Sequence, residues 1–335
     1  MIWLTWRQFR TQLWIAVVGL VAVGVALTLT SRDIAHIYVD SGLSACRGDA
    51  CSTLVGTFLN QARGGATGLL LNASAILLYL APAVIGVFWG APLVSRELEA
   101  GTHRLVWNQS VTRTRWLAVK LGGLGLASMA TAGLLSLAVS WSAHRVDQYA
   151  MNRLDPVTFG ARGIVPIGYA AFAFVLGVTV GVVIRRTVPA MAVTLAVYAG
   201  AVIAMTLSIR ERLVPAMHST VALDMSAVRE FSMSNGGDMR VVATPDLPGA
   251  WILSNRTITP TGQTFHGPAN PAVCGRDLSP KACVDWVGTL GLRQDLTYQP
   301  ASHFWPLQWA ETGVFLALAA ALVAVSFWWL RRRTS

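Results

Sequence analysis

A chain of 335 residues that is 54% hydrophobic and only 13% charged lies far below the roughly 25% charged residues of a soluble globule. A soluble fold is excluded, and a membrane protein is expected. The formal net charge of +10 comes with no basic groove or motif for nucleic acid.

The opening stretch "MIWLTWRQFRTQLW" sets Ile2, Trp6, Phe9 and Leu13 at helical spacing against Arg7, Gln8 and Arg10. This predicts an amphipathic helix over residues 1–12 lying in the membrane interface. Basic residues ahead of an apolar stretch also describe a signal peptide. Against cleavage, "VALTLTSRD" offers no A-x-A site, and the tryptophans precede the apolar run.

Six apolar runs come next, at about 13–30, 69–94, 115–141, 164–184, 188–208 and 308–330. Each approaches the ~20 residues that a helix needs to cross a bilayer core. The expected fold is an all-α polytopic membrane protein with six transmembrane helices and both termini cytoplasmic. Residues 13–208 hold helices 1–5 with a polar hinge at 95–112, and residues 308–335 hold helix 6 and a basic tail. In the second run, Pro82, Pro92, Gly86 and Gly90 kink a helix or admit a close neighbour, for helix packing or for gating. Gly177 and Gly181 give the fourth run a GxxxG face, and Arg185 to Pro189 leave room only for a tight turn before the fifth.

Residues 209–307 differ in kind, rich in Pro, Gly, Asn, Ser and charge, with strand-like runs "MRVVATP" and "AWILSNRTIT" among turn signals. A small extracellular domain is expected there, and Asn255 to Thr257 spells a glycosylation sequon. Cys46 and Cys51 have four residues between them and Cys274 and Cys283 have eight. Two local disulfides are expected from an oxidising side. Zinc is the alternative, although neither spacing is that of a CxxC pair and His266 and His303 are scattered.

Charge orients the spans, because short cytoplasmic loops collect Lys and Arg. With both termini inside, the inner segments hold Arg7, Arg10, Arg96, Arg104, Arg113, Arg115, Lys120, Arg185, Arg186 and Arg331 to Arg333, against Glu97 and Glu99 alone. The outer residues cancel, so the entire net charge lies inside.

The chain has no GxxxxGK[ST] phosphate loop, HExxH or GxSxG, and no Cys/His nucleophile pair once the cysteines are outside. All six histidines are expected outside the spans, no metal site is expected, and the span centres carry no ionisable group for ion coupling. Lys120 is expected to snorkel to the inner surface and Glu311 to sit at the outer start of helix 6. Neutral polar residues such as Asn72, Ser74, Thr131, Ser136, Thr179, Thr194 and Tyr198 serve helix packing or substrate contact.

The hinge, "SRELEAGTHRLVWNQSVTRTRW", reads as Ser95 capping a helix with Glu97 and Glu99 in its first turn, then a break at Gly101 and Thr102. A second short helix with Leu105, Val106 and Trp107 as an apolar patch comes next, and Thr112 caps the third span. With the adjoining "LAVKLGG", this stretch resembles the first cytoplasmic loop of the ABC type-2 permease family. The family pattern R-E-x-E-x-G-T, a short helix, an Arg and V-K-L is met by Arg96, Glu97, Glu99, Gly101, Thr102, Arg113, Arg115 and Lys120. Ser110 and Val111 stand near the place of the family's usual proline.

The resemblance implies the transmembrane permease subunit of an ATP-binding cassette exporter. It binds no cofactor itself; ATP and Mg belong to a separate ATPase subunit, and a second permease copy or related permease completes the path. The hinge becomes a coupling helix, with Glu97, Glu99, Arg104 and Trp107 at the ATPase and Arg96 and Arg113 as internal supports. Uncharged span centres point to a lipophilic or amphipathic cargo. Two other classes stay open: a non-transporting sensor or immunity protein whose outer domain binds a ligand, and an envelope enzyme using Asp277, Asp285 and His266.

Overall fold

In the computed structural model, the described residues are 2–46, 51–101, 112–150, 153–233, 238–245, 247–268, 270, 272–274 and 280–333. They form two units, Met1–Leu213 with Trp305–Ser335, and Val214–Phe304.

The first unit is helical: α1 (Ile2–Asp40), α2 (Cys51–Arg63), α3 (Gly65–Ile85), α4 (Ala91–Glu99), α5 (Arg113–Ala150), α6 (Pro156–Gly160), α7 (Val165–Ile184), α8 (Thr187–Ala204), α9 (Arg210–Leu213) and α11 (Phe304–Arg333). Six helical stretches are long and apolar enough to cross a membrane: Phe9–Asp40, Gly65–Glu99, Thr114–Ala150, Val165–Ile184, Thr187–Leu213 and Ala301–Arg332. All but the fourth, Val165–Ile184, outrun the apolar runs of the sequence. The helix from Ile2 continues without a break through the expected junction at residues 12 and 13. Part of the expected first loop is α2, whose first residue is tied by the Cys46–Cys51 disulfide to the short segment that follows α1. His36 and His144, expected outside the spans, lie near the ends of the lengthened α1 and α5.

Helix α7 is the axis of this unit. Of its most apolar window 78% is buried, against 11% for α1. Its small residues make this possible. A Cβ on Gly86 would stand 2.6 Å from Ala173 O, and one on Gly181 would stand 2.6 Å from Ala91 O. Gly90 and Gly177 meet in the same seam, so two pairs of glycines let the backbones of the second and fourth spans touch. On another side, a Cβ on Gly168 would stand 3.2 Å from Thr312 Cα, and Thr179 Oγ1 lies 2.9 Å from Ser326 Oγ. Both contacts join α7 to α11.

Two spans contain a π turn, Gly86–Gly90 after Pro82, and Met205–Ile209. The second turn re-aims α9. Buried positions on α8 recur at Ala190, Thr194, Tyr198 and Val202, then Met205, a helical beat that would bring Ile209 inward next. The wider turn delays the beat by one residue, or about 100°. Ile209 is exposed, and Arg210 is fully buried.

The second unit contains an antiparallel sheet in the order β1 (Met217–Ala222), β5 (Arg293–Gln299), β4 (Trp251–Ile258), with Ser219 opposite Leu296 and Asn255 opposite Leu296. A hairpin of β2 (Val228–Met233) and β3 (Met239–Ala243) accompanies it. Met239, Val241, Phe265, Val287 and Leu292 pack around the Cys274–Cys283 disulfide, which fastens α10 (Pro280–Thr289). Ala243 O accepts from Asn255 Nδ2 at 2.9 Å and Gln294 Nε2 at 2.7 Å, linking hairpin and sheet. Asn255, the first residue of the sequon, is half-buried and holds this contact.

Candidate functional site

The polar hinge begins where α4 stops. Gly101, with φ of 70°, takes the left-handed conformation that ends helices. Ser95 is not a helix cap: it is buried inside α4, with Oγ 2.8 Å from Ala91 O and 3.1 Å from Thr187 Oγ1. Glu97 and Glu99 therefore stand in the last turn of α4, not the first. The helix dipole disfavours acids there, and each is satisfied by another helix instead.

Glu97 Oε1 accepts from Lys120 Nζ of α5 at 2.6 Å. Lys120 does not snorkel; it is 3% exposed, with Nζ also 3.5 Å from Leu93 O and 4.4 Å from the centre of the Trp116 ring. Glu99 Oε2 accepts the backbone N–H of Thr187 at 3.1 Å and its hydroxyl at 2.8 Å. That carboxylate sits at the positive N-terminal end of α8. One acid thus ties α4 to α5 and the other ties it to α8.

Arg96 is exposed, so the internal support expected of it belongs to Lys120. Arg113 opens α5, where Thr112 acts as cap and accepts from Arg115 N–H at 3.3 Å. Pro92 borders a groove of about 220 Å³ with Phe9 and Arg96. Thr102, Arg104 and Trp107 lie outside the described residues, as do Leu105, Val106, Ser110 and Val111.

At the opposite end of the helical unit is a site that sequence reasoning missed. Arg210 and Glu311 are both fully buried and meet in a bidentate pair, Nε to Oε2 at 2.7 Å and Nη2 to Oε1 at 3.1 Å. Arg210 Nη1 donates to Pro156 O at 2.6 Å, the guanidinium lies over the Phe159 ring, and the Tyr169 hydroxyl donates to Glu311 Oε1. Tyr79 donates to Val157 O and Tyr198 to Tyr79 O, each at 2.9 Å. Nearby, Gln308 Oε1 accepts from the N–H groups of Ile164 and Val165 at 2.9 and 3.2 Å, capping α7. Glu311 is a clasp between spans four, five and six, not a residue at a span's wet margin. The signal in the sequence was a single unmatched Glu in helix 6. Its partner was hidden because Arg210 reads as the start of the polar segment.

Among the described residues, no group of three or more His, Cys, Asp and Glu side chains could hold a metal ion. Asp277 lies outside the described residues.

The family model named ABC-2 membrane transporter related matches residues 17–210, from within the first span, through the hinge, to near the end of the fifth. The chain belongs to this family. It is a multi-pass membrane protein and a component of a membrane transporter, of a class that works with an ATPase partner. Neither the curated proteins nor the solved structures gave a match.

Proposed function

We propose that this permease is the transmembrane subunit of an ATP-binding cassette exporter in a bacterial cell membrane. The hinge end, both termini and the Arg185–Arg186 turn face the cytoplasm, and the unit Val214–Phe304 faces outward. ATP and Mg are held by a separate ATPase subunit. Two permeases, identical or related, enclose the path of a lipophilic or amphipathic cargo.

The observation that supports this reading best is the mechanical tie at the hinge. A push on residues 102–111 from a docked partner meets α4 and α5 directly, and the Glu97–Lys120 and Glu99–Thr187 contacts link α4 to α5 and α8. Because α4 and α8 pack on the buried α7, force applied at one loop reaches the centre of the bundle through packed, two-sided contacts. Arg104 and Trp107 then form the docking surface itself, with charge giving orientation and the aromatic ring giving adhesion.

The test is copurification of the tagged chain from its native membrane with a phosphate-loop ATPase. The wild-type chain retains the ATPase, and the double variant R104E/W107A loses it while still accumulating in the membrane. Undiminished retention by that variant would refute the docking role.

A further inference from the structure

We propose that the groove between α1 and α5, at the end away from the hinge, binds the headgroup of an anionic phospholipid. The groove measures about 480 Å³, and Arg32 and Ala35 of α1 face Trp141, His144 and Arg145 of α5 across it, with buried Ile34 beneath. That is ample room for a phosphate and its substituent.

The chemistry of the lining selects the occupant. The hydroxyls of Ser31 and Ser142 are already spent on the backbone carbonyls of Thr28 and Val139. His144 is engaged with Gln148 at 3.1 Å, and Arg145 stacks over the Tyr38 ring. Among the described residues no carboxylate lines the groove, and the nearby Asp147 is taken by Arg162 at 2.9 Å. Stacking occupies only the face of the Arg145 guanidinium, so its N–H edge and the exposed Arg32 remain for a ligand, and their planar forks match phosphate oxygens.

The surroundings identify the phosphate as a lipid's. Below the groove, Val21, Val25 and Leu29 on α1 and Leu134 and Leu137 on α5 are exposed at helical spacing. They form two apolar tracks on which acyl chains can lie. Exposed Trp141 marks the level of the membrane interface, where such rings collect. Headgroup charge and chain surface are thus provided in the right order along one pair of helices.

Native mass spectrometry of the full chain, titrated with phosphatidylglycerol or phosphatidylcholine, tests the site. One phosphatidylglycerol should bind at least about tenfold more tightly than phosphatidylcholine, the scale of one charge-assisted hydrogen bond. R32Q/R145Q should abolish the preference and R32K/R145K should retain part of it. A35W, which fills the groove and keeps every charge, should abolish it too. Equal binding of the two lipids by the wild type, or an unchanged preference in R32Q/R145Q or A35W, would overturn the proposal. Displacement of the bound lipid by excess inorganic phosphate would also overturn it, since the site would then serve a free anion.

Discussion

Glu311 and Arg210 show how a charge survives inside an apolar bundle. Each has lost all contact with solvent, a cost of several kcal/mol per ion that is recovered only by close pairing and full hydrogen bonding. The bidentate contact, Pro156 O and the Tyr169 hydroxyl provide that recovery. Removing one partner leaves a bare buried charge. Arg210→Met or Glu311→Leu alone should cost about 3–5 kcal/mol, while R210M/E311L together should cost clearly less. Thermal unfolding in detergent measures this, and a loss in the double equal to the sum of the two single losses would show that the charges are not coupled. Glu99 works on a smaller scale because it is exposed at the surface. Glu99→Ala should remove the cap from α8, read as a modest fall in the same unfolding temperature.

Helices α4 and α7 meet through glycine, and the meeting tolerates no side chain. Gly177→Leu would drive a side chain into the backbone around Gly86 and Gly90, so the variant should fail to accumulate or should unfold well below the wild type. Gly122→Leu on α5, where the space is open, should accumulate normally; similar yields of the two would argue against the seam. In the second unit, the Cys274–Cys283 bridge closes a short loop onto α10. C274S/C283S should lose about 2–3 kcal/mol of stability in that unit, seen as faster limited proteolysis within residues 214–304. These elements were unevenly legible in the sequence. Long apolar runs announced the spans, and the glycine pairs announced close packing, because both are local patterns. Strands β3 and β4 were visible as β-rich runs, whereas β1, β2 and β5 were not: β1 is largely exposed, and β5 buries Gln294 and Gln299. The π turn at Met205–Ile209 left no pattern, since one extra residue in a helix changes no composition yet redirects Arg210.

The molecule as a whole joins a polar hinge at one end of the helical bundle to a buried ionic clasp at the other, with α7 between them. The hinge was recognisable from its sequence because its residues are contiguous, and the family match over residues 17–210 agrees with that recognition. Its internal wiring was not recognisable. Glu97 and Glu99 looked like surface acids, but their partners Lys120 and Thr187 come from other helices, and only the fold brings them together. Those contacts tie the described start of the hinge, at Glu97 and Glu99, to two other helices, and the proposed function depends on this. The most direct measurement is ATP hydrolysis by the partner ATPase in the assembled complex, with the tie cut but the docking residues intact. E97Q/E99Q leaves Arg104 and Trp107 unchanged and weakens both ties. The complex should still assemble, with cargo-stimulated hydrolysis reduced at least about tenfold, the effect of losing roughly 1.4 kcal/mol of coupling. Full stimulation in the assembled E97Q/E99Q complex would contradict transmission through this hinge.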